Sequence, residues 1–309
     1  MENITKIKVI GVGGSGNNAI SRMMASKIKG VELIAINTDL QHLKKTRAHK
    51  KIRIGKDQTM GIGTGMNPLL GEKSAEEDRE RLKEILKDTD LAFISCGLGG
   101  GTGTGASPII ADILKKMGVL TVAVVTMPFS FEGSKRMSVA KKGLDKMRIK
   151  VDTLIPISND KLFSIIEPDT SVHSAFWFCD EVLRQAVSGI SNLIVLPGII
   201  NIDFADVKTI LKDSGSAIFG IGKASGENRA QEAADRALNS PLIDTPCDKA
   251  KGVLFNVSGG EDISLSEINE IARTIKERVS PSAKIIFGAV QDEDLKKGEI
   301  KVTIVATGF

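Results

Sequence analysis

The sequence is poor in the residues that mark several common protein classes. Among 309 residues there are three cysteines, three histidines, one tryptophan and no tyrosine. Cys96, Cys179 and Cys247 are widely spaced and form no CxxC pair, so the sequence supports neither a disulfide framework nor a zinc site. We predict three buried free thiols.

Long apolar runs are lacking as well. No stretch approaches the roughly 18–20 residues of a membrane-spanning helix, and the opening MENITKIKVIGV is not a secretory signal. A hydrophobic fraction of 41% and a mean hydropathy of +0.01 indicate a soluble globular chain. We expect a cytoplasmic protein with no direct membrane binding.

Charge of one sign is not in large excess, since the net charge is +4. The most basic stretch is KKTRAHKKIRIGK, residues 44–56. It contains no aromatic residue to stack on a base, so we predict a solvated loop and no nucleic-acid partner.

Short β-branched runs alternate with helical stretches, which is typical of a parallel sheet covered by helices. Capping-box spacing at Ser74 and Glu77, and again at Ser264 and Glu267, predicts two helix starts. A helical stretch at 171–193 separates two groups of strands, so we predict two α/β domains joined by a long helix. The predicted strands are 6–12, 32–38, 91–96, 119–126 and 153–158, then 215–222, 252–259, 284–290 and 300–306.

Glycine is concentrated after two of the predicted strands. Gly11, Gly13 and Gly16 fit the G-x-G-x-x-G pattern, and Asp39 ends the next strand, as in a dinucleotide-binding fold. A tight turn without a ligand explains the same pattern.

A second and richer glycine loop, GLGGGTGTG at 97–105, has no use in a dinucleotide site. Because the carboxyl ends of parallel strands meet at one edge, both loops face one cavity, with backbone N–H groups and the Thr102 and Thr104 hydroxyls. A third loop, GIGTGMNP at 61–68, is placed to close over the far end of a polyphosphate. These loops fit a nucleoside triphosphate better than one pyrophosphate.

The P-loop pattern G-x-x-x-x-G-K-[ST] does not occur in the sequence, so the chain is not a P-loop NTPase. Neither main glycine loop contains a lysine. We therefore expect Mg²⁺ to complete the charge balance, held largely by phosphates and waters rather than by protein side chains.

GGGTGTG at 99–105 is the signature of the tubulin and FtsZ superfamily of GTPases. NTD (37–39), GTGMNP (63–68), TVAVVTMPFSFEGSKRM (121–137) and NIDFADV (201–207) also match the FtsZ pattern. The chain resembles bacterial FtsZ, the tubulin-like cell-division GTPase, over its whole length. The resemblance implies a Rossmann-like GTPase domain with a parallel sheet at 1–170, a long central helix at 171–194 and a smaller α/β C-terminal GTPase-activating domain at 195–309.

The resemblance also implies GTP/GDP contacts at the positions that match the family's motifs. Glu132 and Arg136 correspond to ribose contacts, and their spacing predicts one face of a helix start. The guanine contacts correspond to Asn18, Asn159 and Asp180, with Phe176 stacking. The remaining implied contacts, mainly the phosphate cradle, are Gly13, Gly14, Ser15, Thr64, Gly65, Gly99, Gly100, Gly101, Thr102, Gly103, Thr104, Gly105, Thr126 and Pro128.

Physical chemistry supports the guanine assignment. A carboxylate accepts from the adjacent N1–H and N2–H₂ donors of guanine, a pair that adenine lacks, so Asp180 is expected to select GTP over ATP. Without the resemblance, Glu132 and Arg136 form a surface ion pair, and Asp180 is a solvated helix position beside Arg184.

Asn201, Asp203 and Asp206 lie in NIDFADV. Asp203 and Asp206 have the spacing of a helix cap and its N3 acid, which is a purely structural interpretation. In the FtsZ pattern this loop completes the active site of the adjacent subunit and polarises the attacking water. The two interpretations are compatible.

A site divided in this way implies head-to-tail homopolymers whose hydrolysis depends on assembly. In the FtsZ family such filaments form the division ring at mid-cell. Other division proteins meet the family through a C-terminal tail that is absent from these 309 residues.

Some residues depart from the family's pattern. Ser15 and Ser158 stand where glycine and proline are common, and Glu181 replaces a small or amide residue. Trp177 and Phe178 are unusually large, and we expect them to pack between domains.

Three alternatives remain open. The first is an NAD-dependent oxidoreductase, which would need a catalytic His, Lys or Tyr group in the second half. The chain has no tyrosine, and all three histidines, His42, His49 and His173, precede that half. The others are a tubulin-like filament for plasmid segregation or cell shape, and a nucleotide-binding relative that no longer polymerises.

Overall fold

The computed structural model describes residues 5–162, 169–195, 198–243, 246–292 and 295–309. Contacts divide the chain into two compact units, Met1–Val187 and Ser188–Phe309. The division falls inside a long helix, between the domain boundaries predicted at 170 and 194.

The first unit contains a six-stranded parallel sheet in the order β3-β2-β1-β4-β5-β6. The predicted strands of the first half are confirmed to within two residues at each end. The elements are β1 (Ile7–Val12), α1 (Gly13–Ala25), β2 (Val31–Asn37), α2 (Leu40–Lys45), β3 (Lys50–Arg53), α3 (Lys56–Thr59), α4 (Pro68–Glu77), α5 (Arg79–Ile85), β4 (Leu91–Gly97), α6 (Thr102–Lys116), β5 (Leu120–Met127), α7 (Ser134–Arg148), β6 (Thr153–Ser158), α8 (Asn159–Leu162) and α9 (Val172–Val195), which continues into the second unit.

The central strands are buried along their whole length because helices cover both faces of the sheet. Val9 of β1 pairs in register with Leu33 of β2 and Phe93 of β4, and all three are buried. Helix α6 is buried from Thr102 through Ile110 apart from Ile109. The packing therefore fixes the N-terminus of α6 at the carboxyl edge of the sheet.

Two predictions in this unit are wrong. Ser74 does not cap a helix, since it lies inside α4; that helix begins at Pro68, where the Asn67 side chain accepts from Leu69 N at 3.0 Å. A capping residue followed by proline at the first helical position is the stronger start signal. The basic stretch 44–56 is not a loop throughout, because it contains the edge strand β3.

The second unit contains a four-stranded sheet in the order β7-β10-β8-β9, with β10 antiparallel to β7 and β8. The predicted capping box is confirmed: Ser264 Oγ accepts from Glu267 N, and Glu267 Oε2 accepts from Ser264 N at 2.8 Å. The elements are α10 (Phe204–Leu211), β7 (Gly215–Ser225), α11 (Arg229–Leu238), β8 (Gly252–Gly259), α12 (Leu265–Glu277), β9 (Lys284–Gln291) and β10 (Glu299–Thr307).

The three cysteines are buried free thiols, as predicted. Burial raises the pKa of Cys96 and Cys247 to about 11 and that of Cys179 to about 12. No helix in the described ranges is both long and apolar enough to cross a bilayer.

Candidate nucleotide-binding site

A cleft of about 380 Å³ lies at the carboxyl edge of the first unit's sheet. Most of the predicted nucleotide contacts line it; Gly65, Gly99, Thr104 and Gly105 do not. The predicted residues that line it are Gly13, Gly14, Ser15, Asn18, Thr64, Gly100, Gly101, Thr102, Gly103, Thr126, Pro128, Glu132, Arg136, Asn159, Phe176 and Asp180.

The two main glycine loops pack directly against each other beneath the cleft. Gly13 has a φ of +73°, and a Cβ at this position would stand 2.9 Å from Gly103 N. A Cβ on Gly103 would stand 2.7 Å from the Gly97 carbonyl oxygen. No side chain fits between these backbones, so the glycines allow the N-termini of α1 and α6 to approach one ligand.

Threonine hydroxyls join the second and third glycine loops to the end of β2. Thr102 Oγ1 lies 2.7 Å from Thr38 Oγ1 at the end of β2 and 3.4 Å from Thr64 Oγ1 in the third loop. Thr104 has a structural role as well, because its Oγ1 accepts from Gly99 N at 2.9 Å. Thr104 therefore orders the 97–105 loop from below.

Helix dipoles give the cleft a positive potential. Helix α1 begins at Gly13 and α6 at Thr102, and neither helix has an acidic residue in its first turn. Free N–H groups at a helix N-terminus bind anions, and two such termini line this cleft. The arrangement suits a phosphate chain.

Two buried polar atoms on cleft residues have no hydrogen-bond partner among the residues that the structure describes. They are Asn159 Oδ1 and Arg136 Nε, and Asn159 is only 5% exposed. An unpaired buried donor or acceptor costs about 1–3 kcal/mol, and a polar ligand bound in the cleft would remove this cost.

Glu132 and Arg136 form an ion pair between Oε2 and Nη1 at 2.9 Å. They do not share one helix start: Glu132 ends a short 3-10 turn, Arg136 lies in α7, and Gly133 with a φ of +99° separates them. The second Glu132 oxygen, Oε1, accepts from Phe129 N at 2.8 Å. The pair is thus held in place at the cleft wall.

Asp180 is not a solvated position, since it is only 6% exposed. Its Oδ2 accepts from Nε and Nη2 of Arg22, each at 3.3 Å, whereas Arg184 pairs with Glu181. Burial raises the pKa of Asp180 to about 6, against the opposing effect of Arg22.

Five residues that line the cleft were not predicted: Val12, His42, Gly97, Leu98 and Cys179. His42 lies in α2, whose N-cap is Asp39; the Asp39 carboxylate accepts from His42 N at 2.9 Å. Asp39 therefore caps a helix and does not line the cleft. No local sequence pattern predicts that His42 lies at the cleft.

Asn201, Asp203 and Asp206 lie together in the second unit, and all three are exposed. Asp203 occupies the N-cap position of α10 but makes no capping hydrogen bond. Asn201 Oδ1 accepts from Gly198 N at 2.7 Å, which orders the loop before the helix. Helix capping therefore does not engage the Asp203 carboxylate.

The Trp177 and Phe178 rings meet edge to face at 5.4 Å, and both side chains remain partly exposed. Trp177 packs over the guanidinium of Arg22 in α1.

Comparison with known protein families gives one match in the N-terminal part of the chain and another in the C-terminal part. The GTPase domain of the tubulin/FtsZ family matches residues 6–167, more than half of the chain. The chain belongs to the tubulin/FtsZ family. The C-terminal domain of the FtsZ family matches residues 215–309.

Two solved structures of FtsZ from M. jannaschii are similar to this tubulin/FtsZ chain over its full length. The empty FtsZ dimer is 48% identical, with a TM-score of 0.96 and coverage of 100% of this chain and 89% of that one. A tryptophan-to-tyrosine mutant is also 48% identical, with a TM-score of 0.96 and coverage of 99% and 92%. The GTPγS-bound protofilament of CetZ2 from Haloferax volcanii, 21% identical with a TM-score of 0.83 over 98% and 92%, shares the fold.

Membership in the family confirms the predicted fold, a mixed α/β chain with a mostly parallel sheet, an N-terminal GTPase domain and a C-terminal domain. It also gives the chain a guanine-nucleotide-binding GTPase domain. The oxidoreductase interpretation is wrong, and the helix cap at Asp39 removes the acid on which it depended.

Proposed function

We propose that this chain is an FtsZ-type GTPase that assembles head to tail, hydrolyses GTP only across the junction between subunits, and builds the division ring at mid-cell. The observation that carries the proposal is the division of chemistry between the two units. The cleft lies in the first unit, and the exposed acidic loop lies in the second.

The cleft recognises GTP in three parts. The N-termini of α1 and α6 bind the phosphates, and the fixed Glu132–Arg136 pair meets the ribose. Asp180 and the unpaired Asn159 Oδ1 accept from guanine, whose edge carries two adjacent donors.

Mg²⁺ fits this site only as an ion held by the ligand. Among the described residues there is no group of three or more His, Cys, Asp or Glu side chains that could hold a metal. The glycine N–H groups and the Thr64 and Thr102 hydroxyls stand where a phosphate chain and its ion would lie. When bound, Mg²⁺ would neutralise charge that develops on the phosphates.

Each of the cleft's own carboxylates has a cationic partner in the chain and, in this proposal, a role toward the nucleoside rather than toward the attacking water. Glu132 pairs with Arg136, and Asp180 pairs with Arg22. The group that orients the attacking water is therefore a carboxylate from elsewhere, and Asp203 and Asp206 of a second copy meet this need because both are exposed. Phosphoryl transfer depends mainly on positioning, so a loop that arrives with the next subunit switches hydrolysis on.

Exposed apolar side chains in and next to the third glycine loop support self-association. Met60 is 82% exposed, Ile62 86% and Leu69 65%, and Thr64 of the same loop lines the cleft. These three large apolar side chains, all exposed between positions 60 and 69, are more than the single scattered ones of an ordinary surface, which favours an interaction site here. A second copy that brings its acidic loop to the cleft would cover them, and such a heterologous contact repeats into a filament.

The test is GTP turnover per subunit, measured as phosphate release over a wide range of protein concentrations, with light scattering recorded in parallel. We expect both signals to rise above a threshold concentration with GTP and to stay at baseline with ATP. Turnover per subunit that is unchanged by dilution would refute hydrolysis across a junction. Equal signals with GTP and ATP would refute the guanine site.

A further inference from the structure

Arg22 contacts two residues of α9 at once. Its Nε and Nη2 atoms donate to Asp180 Oδ2, each at 3.3 Å, and its Cζ lies 5.1 Å from the centre of the Trp177 ring. Trp177 and Asp180 are three positions apart on α9 and so lie on one helix face, turned toward α1. Trp177 is the only tryptophan in the chain and is 41% exposed.

We infer that Arg22 is a positioning residue for guanine selection: it holds Asp180 through Oδ2 and leaves Oδ1 turned to the base, while Trp177 holds the Arg22 guanidinium. The inference rests on the proposed function, in which Asp180 accepts from guanine. It assigns roles to two residues that are not among those lining the cleft.

The need for such a residue follows from the burial of Asp180. Burial disfavours its charged form, and Arg22 opposes that effect. A protonated carboxyl would present a hydroxyl donor to the donor edge of guanine, so an uncharged Asp180 loses the recognition that an ionised one makes. A freely rotating carboxylate would also lose the geometry that two adjacent donors require.

The ring of Trp177 orients the guanidinium of Arg22. Both Arg22–Asp180 bonds are long and go to one oxygen, so the carboxylate alone does not fix the plane of the guanidinium. An aromatic face within about 6 Å attracts and orients a guanidinium. Replacing the ring therefore acts on Asp180 through Arg22.

The experiment measures GTP and ATP affinities by calorimetry on the full chain, at concentrations below the assembly threshold. We expect Arg22→Met to weaken GTP binding by about 10-fold or more and to leave ATP binding within about twofold of the parent, because ATP does not use Asp180. Arg22→Lys keeps the charge and should recover part of the loss. It also serves as the test should Arg22→Met fail to fold.

Trp177→Leu should weaken GTP binding by about 2- to 5-fold, and Trp177→Phe by less, because phenylalanine keeps an aromatic face. The matched control is Arg273→Met, which removes an exposed arginine paired with Glu277 on α12 and should change neither affinity.

A double variant separates positioning from general destabilisation. In an Asp180→Asn background, Arg22→Met should change GTP affinity by less than about twofold, since its target is already gone. An equal loss of GTP and ATP affinity in the single variants, or a full further loss in the double variant, would overturn the inference. If the parent protein showed no preference for GTP over ATP, or if Asp180→Asn kept the full preference of the parent, the proposed function itself would fail.

Discussion

Gly13 lies against Gly103 so closely that a Cβ on the first would stand 2.9 Å from the backbone nitrogen of the second. The contact joins the starts of α1 and α6, and both residues line the cleft. The same two glycines thus serve the packing of α1 against α6 and the lining of the nucleotide cleft. Substitutions there separate their effect on stability from their effect on GTP binding.

Gly13→Ala should lower the free energy of unfolding by about 1–3 kcal/mol, because it adds strain at positive φ and a steric overlap, and it should weaken GTP binding. Gly100→Ala should weaken GTP binding alone, since no atom lies within 4 Å of a Cβ there. Urea denaturation and calorimetry measure the two effects. Gly226→Ala, at a φ of +98° in open space, isolates the strain. Intact GTP affinity in Gly13→Ala would contradict the shared packing.

Asp206→Asn should retain GTP affinity and lose turnover by about 100-fold or more, because an amide cannot act as the carboxylate that polarises water. Phosphate release at a concentration above the threshold measures this loss. Asp248→Asn, another exposed aspartate of the second unit, is the matched control and should keep full turnover.

Mixing two inactive variants tests whether the site is shared between subunits. Asp206→Asn should bind GTP but lacks one carboxylate of the catalytic loop, and the double variant Asn159→Ala with Asp180→Ala keeps the intact loop but should bind GTP poorly. At a low GTP concentration, the mixture should release phosphate several-fold faster than the sum of the two alone. A rate equal to that sum would place the whole site within one chain.

GTP affinity should fall as the pH drops through about 6, the pKa to which burial raises Asp180. The ionised form of Asp180 accepts from guanine, so GTP affinity should reach its maximum above pH 7 and be about tenfold weaker at pH 5. Calorimetry across this range measures the curve. Asp180→Asn corrects for protonation of the phosphates, and a curve of the same shape in that variant would exclude Asp180 as the cause.

Trp177 should report GTP binding directly, because the chain has no other tryptophan and no tyrosine. Guanine binding to Asp180 shifts the Arg22 guanidinium that lies over the ring, so tryptophan emission should change with GTP and saturate at the calorimetric affinity. ATP should leave it unchanged. Constant emission while calorimetry detects GTP would show that Arg22 does not respond to the base.

Ile62→Lys should raise the threshold concentration for scattering and turnover while leaving the GTP affinity of the dilute protein unchanged, because a charge in a buried junction costs free energy. Ile149→Lys is the control: Ile149 is also exposed, but it follows α7, on the amino side of β6, away from the cleft. Equal thresholds in the two variants would show that Ile62 is not part of the junction.

Much of the fold and the cleft could be predicted because local patterns record them. The β-branched runs identified the strands, and the dense glycines of 97–105 identified a place where backbones approach closely. The capping signal succeeded at Ser264 and failed at Ser74, where Asn67 and Pro68 start the helix earlier. A local signal predicts correctly only when no stronger one competes nearby.

The sequence by itself determined that glycine loops end parallel strands and that the chain carries the family's nucleotide and acidic motifs. Only the tertiary structure decided that Arg22 binds Asp180, which is 158 positions away, that Thr38 meets Thr102, and that Thr104 supports its own loop. The physical reason is that the first two contacts join residues far apart in the chain, so they depend on strand order and on the contact of α1 with α9. No short stretch of residues encodes either arrangement.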